Sequence, residues 1–208
     1  MKKKELIIWL IVLSAILAGF YFDSAIVRGI SLARNSLLDD FFLGITFVSS
    51  EIIVFFFLTS LFLLQGGKSK KKWILPLWAT LGLSAVVSFI LKFSIKRQRP
   101  FQQDIVPVLP ILEKGSHFVW NFSFPSFQAM LAFCAVPILS KEFPKLKYVW
   151  AGFAVLVAFS RVYFGLHFMS DVIAGSAIGY LLGILVIKIE ERKKIFEKIY
   201  EGVFKQAY

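Results

Sequence analysis

Six stretches of this sequence, 6–22, 41–64, 73–93, 124–140, 148–166 and 169–189, are apolar over roughly the length a helix needs to cross a lipid bilayer. A hydrocarbon layer about 30 Å thick takes ~20 helical residues, and inside it each spanning segment has to satisfy its own backbone hydrogen bonds. The pattern predicts an all-α fold, a bundle of six transmembrane helices. With 58% hydrophobic residues, 18% charged residues and a mean hydropathy of +0.74, an ordinary soluble domain is excluded. No internal repeat or low-complexity tract divides the chain, so 1–208 reads as a single membrane-embedded domain. The first run follows Met1-Lys2-Lys3-Lys4-Glu5 as a signal peptide would. It is 17 residues long, however, and lacks a small-x-small cleavage site, which favours a retained helix.

The net charge of +11 acquires meaning from its distribution. Lys2–Lys4, Lys68–Lys72, Lys141–Lys147 and the tail from Lys188 hold sixteen of the 24 Lys and Arg residues. By the positive-inside rule these segments, and with them both termini, are cytoplasmic. The connections 23–40, 94–123 and the turn near 167 then face outward. The surplus is a topology signal and an attraction for anionic headgroups rather than a nucleic-acid footprint. Cys134 is the only cysteine and the two histidines lie fifty residues apart, so neither a disulfide within the chain nor a metal site is expected.

Three polar clusters interrupt the apolar pattern, and this topology brings all three to the outer face. In Lys92-Phe-Ser-Ile-Lys-Arg-Gln-Arg99-Pro100 the two outer cations are seven residues apart. That is about two helical turns, so they share a side if the helix continues that far. Arg99 offers phosphate a planar multidentate fork and Lys92 a point charge. Pro125-Ser126-Phe127-Gln128 opens the fourth run, where free helix N–H groups and the Ser126 hydroxyl suit phosphate oxygens. In Ser160-Arg161-Val-Tyr-Phe-Gly-Leu-His167-Phe-Met-Ser-Asp171, Arg161 adds a third cation. His167 and Asp171, at i and i+4, pair if that segment is helical. A carboxylate holding one imidazole nitrogen leaves the other as an activated lone pair.

At these residues the sequence resembles the type 2 phosphatidic acid phosphatase superfamily, whose pattern has three parts. Lys92, Arg99 and Pro100 match the first, and Ser160, Arg161, His167 and Asp171 match the third without gaps. The second, usually Pro-Ser-Gly-His, reads Pro125-Ser126-Phe127-Gln128 here. The resemblance runs from the Asp39-Asp40 region to about residue 180 and includes the six-helix layout. It implies that His167 is a nucleophile forming a phosphohistidine and that Asp171 orients it. Lys92, Arg99, Ser126 and Arg161 would bind the phosphoryl group, with no cofactor or metal. The implied activity is that of a lipid phosphatase in the cell membrane, acting at the extracytoplasmic face on a phospholipid or polyprenyl phosphate.

Gln128 occupies the position of the family's general acid. Glutamine donates hydrogen bonds but delivers no proton, and positioned acid catalysis is worth about 10²–10⁴-fold. A departing lipid alkoxide resembles water, with a pKa of roughly 15.7, and leaves poorly unprotonated. A departing phosphate monoester, with a second pKa of about 6, leaves far more readily. A polyprenyl diphosphate is therefore expected ahead of phosphatidic acid or phosphatidylglycerophosphate, with a lipid A-type sugar 1-phosphate between them. Two other readings stay open. His117, in Lys114-Gly-Ser-His-Phe-Val-Trp120, folds back as a surrogate acid, or the chain binds lipid phosphate without turning it over. A lipid phosphotransferase differs only in the acceptor.

Other polar residues have plainer readings. Glu51, inside the second run, hydrogen-bonds or ion-pairs between helices if it has no role in function. Asp39 and Asp40 begin the second helix. Lys96 and Arg97 read as solvated interfacial charges, and Gly175, Gly179 and Gly183, four apart, as a close helix contact.

Overall fold

The computed structural model describes residues 3–65, 68–113 and 121–204, and is helical wherever the described chain is regular. The long elements are α1 (Lys3–Ser31), α2 (Ser36–Val48), α3 (Glu51–Gln65), α5 (Ile74–Ile95), α7 (Phe127–Glu142), α8 (Lys147–Tyr163), α9 (Met169–Lys193) and α10 (Ile195–Phe204). Two single-turn helices, α4 (Lys68–Lys71) and α6 (Pro110–Glu113), lie in the connections. Among the described residues, three helical stretches, Ile74–Gln103, Pro144–Tyr163 and Met169–Lys193, are long and apolar enough to cross a membrane, and α2 with α3 makes a fourth if that bent pair is one span. The first and fourth predicted runs fall in α1 and α7.

The second predicted run is not one helix. α2 and α3 meet at a 63° bend across Ser49 and Ser50. Ser49 closes α2 with its hydroxyl on the Thr46 carbonyl at 3.1 Å, the local bonding by which serine competes with helix continuation. Glu51 is thereby the first residue of α3, and exposed, rather than a charge in mid-helix. α2 starts earlier than predicted, capped by the Asn35 side chain, which accepts from the Leu38 N–H at 3.1 Å. Asp39 falls in its first turn and accepts from the Tyr163 hydroxyl at 2.7 Å.

α7 and α9 form the most extensive helix pair and carry the centre of the molecule. Gly175, Gly179 and Gly183 present hydrogen, not carbon, to the carbonyl oxygens of Ser126, Met130 and Cys134 on successive turns of α7. A side chain at any of the three meets backbone, so the expected close contact is a condition of this packing. α5 packs on the same pair, burying Leu77 and Leu81 with Cys134 and Ile138, and α1 lies against α9 with Gly19 over Ser170. The chain from the end of α5 to the start of α9 brings its three polar clusters together at one end of this bundle.

Candidate active site

α5 ends sooner than the two-turn spacing of Lys92 and Arg99 requires. Lys96 takes a left-handed conformation at φ 52°, closing α5 after Ile95. Lys92 therefore projects from the last helical turn, and Arg99 arrives from the following loop. Both are buried, and both are tied to one segment. Lys92 Nζ donates to the Phe122 carbonyl at 2.5 Å, Arg99 Nε to the Asn121 carbonyl at 3.0 Å, and the Ser123 N–H to the Arg97 carbonyl at 2.7 Å. The two family cations thus clamp the chain just upstream of α7. Lys92 keeps further ammonium donors after this bond.

The α7 N-terminus follows a cis Phe124–Pro125 bond. Ser126 is its N-cap residue, but the side chain caps nothing: the Oγ is fully buried and has no hydrogen-bond partner among the described residues. An orphan hydroxyl of this kind is costly unless something polar meets it. Its backbone N–H donates to the Asp171 carbonyl at 3.1 Å, fastening the start of α7 to the start of α9.

Arg161, in the last turn of α8 and 2% exposed, is held by its own helix and two others. Its Nε and Nη2 donate to Ser160 Oγ at 3.2 and 3.1 Å, Nη2 also donates to Thr46 Oγ1, and Nη1 donates to Gln128 Oε1. Gln128 is therefore an acceptor to an arginine, which fixes its carbonyl toward the guanidinium and its amide nitrogen away from it. Gln128 also lines an apolar cavity of about 250 Å³ between α3, α7 and α8, together with Ile53, Phe57, Leu131, Phe153 and Val157.

His167 lies in the turn before α9, 3% exposed. The helical i,i+4 pairing with Asp171 is not realised as a direct bond: Nδ1 is 4.0 Å from Asp171 Oδ2. Nε2 faces Arg99, whose Nη1 is at 3.5 Å and also donates to the Leu166 carbonyl at 3.1 Å. Burial first, then the charges of Arg99, Lys92 and Arg161, hold the imidazole well below its ordinary pKa of 6.5. The ring is neutral at physiological pH and keeps a lone pair.

Asp171 is fully buried and saturated with donors. Oδ1 accepts from Arg97 Nη1 at 2.6 Å; Oδ2 accepts from Ser123 Oγ at 2.5 Å and from the Phe168 N–H at 2.9 Å. Arg97 is not the solvated charge its loop position suggested. It also donates to Asp23 Oδ2 at 2.7 Å and to Ser170 Oγ at 2.7 Å, and its guanidinium stacks over Phe168 at 4.0 Å. Asp23, 2% exposed near the end of α1, accepts in addition from the Ser170 N–H at 3.0 Å. Sequence reasoning missed Asp23, Arg97 and Ser123. An aspartate in the apolar company of α1 was the available signal, because such a group needs a buried partner. His117 lies outside the described residues. Among those described, no cluster of His, Cys, Asp and Glu forms a metal site.

A helical membrane-type bundle that sets a neutral imidazole inside a ring of buried cations has the chemistry to hold an anionic group such as phosphate. Residues 73–195 match the PAP2 superfamily, and the chain belongs to it. It is 32% identical over 191 residues to phosphatidylglycerophosphatase B of Bacillus subtilis (strain 168), covering 85% of this chain and 87% of that one. It is 31% identical over 119 residues to the undecaprenyl-diphosphatase of Sulfolobus acidocaldarius, covering 53% and 55% of the two chains. The crystal structure of the transmembrane PAP2 type phosphatidylglycerolphosphate phosphatase from Bacillus subtilis superposes with a TM-score of 0.68 at 29% identity, over 92% of this chain and 96% of that one.

Proposed function

We propose that this protein is a multi-pass cell-membrane phosphatase that hydrolyses a lipid phosphate at its extracytoplasmic face, with a polyprenyl diphosphate as the favoured substrate. The observation that carries the reading is the charge balance around His167. Lys92, Arg97, Arg99 and Arg161 converge on a site whose buried carboxylates are Asp23 and Asp171, a formal surplus of two positive charges. A phosphoryl dianion supplies what is missing, and cations aimed at it stabilise its charge during transfer.

In this reading His167 Nε2 attacks phosphorus and the bond to the leaving oxygen breaks with its electron pair. Water then attacks the phosphohistidine, releasing inorganic phosphate and restoring the imidazole. Lys92, Arg99, Arg161, the orphan Ser126 hydroxyl and the α7 N–H groups hold the phosphoryl oxygens, while Asp171 orients the ring. Gln128 delivers no proton, and its bond from Arg161 turns it into an anchor for a phosphate-binding arginine. A leaving group that departs unprotonated fits this arrangement, and a phosphate monoester leaving from a diphosphate is such a group. The substrate's hydrocarbon chain lies in the apolar cavity that begins at Gln128. Six spans with both termini cytoplasmic complete the proposed topology.

Phosphatidylglycerophosphate is the second reading, favoured by the similarity to phosphatidylglycerophosphatase B over most of both chains. The test is phosphate release by detergent-solubilised protein from a polyprenyl diphosphate, phosphatidylglycerophosphate, phosphatidic acid and a sugar-1-phosphate lipid. Faster release from the diphosphate supports the leaving-group reading. Monoester cleavage at the same rate, unchanged in His117→Ala, overturns it.

A further inference from the structure

We infer that Ser123 is a positioning residue for His167, its hydroxyl standing between the Asp171 carboxylate and Nδ1 and transmitting the carboxylate's hold to the ring. The inference rests on His167 acting as the nucleophile. Asp171 cannot orient the imidazole by direct contact at 4.0 Å, and both of its oxygens already accept bonds. Ser123 Oγ lies 2.5 Å from Asp171 Oδ2 and 3.5 Å from His167 Nδ1. A hydroxyl has one proton and two lone pairs. With its proton on Oδ2, the oxygen can only accept from Nδ1, which must then carry the ring hydrogen. The lone pair is thereby assigned to Nε2, the nitrogen that faces Arg99.

Ser123 is built for this duty. It is fully buried, its N–H is fixed on the Arg97 carbonyl, and the carbonyls of the two preceding residues are held by Lys92 and Arg99. Its main chain also acts on the imidazole, in the sense that favours the protonated ring. The other charged groups around the ring are Lys92 from α5, Arg97 and Arg99 from the loop after it, Arg161 from α8 and Asp171 from α9. When Nε2 bonds to phosphorus and the leaving oxygen takes the electron pair, the ring gains one positive charge and loses no proton. The long contact from Nδ1–H to Oγ then becomes charge-assisted and shortens, while the serine proton stays between Ser123 and Asp171. Water breaking the N–P bond returns the ring to neutrality.

The chain has two histidines, so in a His117→Ala background ¹⁵N NMR of the full-length protein sees a single imidazole. The expected result is an Nδ1–H tautomer, converted to a mixture or to Nε2–H by Ser123→Ala and restored by Ser123→Thr. Turnover measured alongside should fall by on the order of 10–100-fold in kcat for Ser123→Ala, as when the partner behind a working imidazole is removed, with KM little changed. Ser123→Thr should recover most of it. If Ser123→Ala does not fold, Ser123→Cys, a poor acceptor of similar size, takes its place in the comparison. An unchanged tautomer in the alanine or cysteine variant, or a loss that threonine does not restore, overturns the inference. The tautomer is read without substrate, so a protein that turns over no lipid refutes the phosphatase reading and leaves the Ser123 test intact.

Discussion

Replacing Gly175 by alanine isolates how closely α7 must approach α9 for the site to work. A Cβ built on Gly175 lies 2.5 Å from the Ser126 carbonyl oxygen and 3.3 Å from the Ser126 nitrogen. A relaxed carbon–oxygen contact needs about 3.3–3.6 Å, so the start of α7 has to withdraw by roughly 1 Å. Overpacking of this sort costs about 1–3 kcal/mol, and a misplacement of ~1 Å in a working group costs on the order of 10²-fold in rate. Gly183→Ala is the control, since its Cβ strikes the Cys134 carbonyl oxygen and comes within 2.9 Å of the Pro137 ring. Its stability cost should match or exceed that of Gly175→Ala. It acts about 12 Å further along the helix, so its rate should fall less than ~10-fold. Thermal unfolding followed by tryptophan fluorescence, beside phosphate release from lipid substrate, separates the two quantities. Equal losses of rate in the two variants, or a fully active Gly175→Ala protein, would refute the reasoning.

Three further outcomes follow from the same geometry. Arg97→Gln leaves the buried Asp23 and Asp171 carboxylates without their shared arginine and should cost about 3–5 kcal/mol in thermal or denaturant unfolding. Asp23→Asn, which leaves Arg97 paired with Asp171, should cost less, and the double variant should lose less than the sum, so additive losses would contradict the pairing. His167 is held below 6.5 by burial and by Arg99, Lys92 and Arg161. The acid limb of its activity should therefore lie below 6.5, and Arg99→Gln, at whatever rate remains, should move it upward. The stability that comes from burying a neutral ring is fully present above the unfolded value of ~6.5 and is lost as pH falls from there through the folded value. Gln128→His should raise monoester hydrolysis selectively, and an equal gain on diphosphate would count against the leaving-group reading.

The sequence showed the cations, the imidazole and the carboxylate because their spacing is a chain-local pattern. The way they join was not legible, because the joints are tertiary. Lys92 and Arg99 looked like two residues of one helix, yet Lys96 in a left-handed conformation ends α5 between them. His167 and Asp171 looked like an i,i+4 pair, yet the helix starts at Met169 and a serine 44 positions upstream of His167 stands between them. Arg97 was misread as solvated because its partners come from α1 and α9, remote in sequence. The second span reads as continuous in hydropathy, whereas the hydroxyl of Ser49 bonds backward at the point where it bends. The glycine triplet was legible because four-residue spacing has few other causes in an apolar helix.

The most direct measurement is trapping of the phosphorylated protein during turnover of a polyprenyl diphosphate, quenched in alkaline detergent because the N–P bond of a phosphohistidine is acid-labile, set against phosphate release by wild type and by His167→Ala. Phosphate on His167, with release abolished in the alanine variant, is the predicted result. Release that survives His167→Ala, or no release from any of the four lipids, would contradict it.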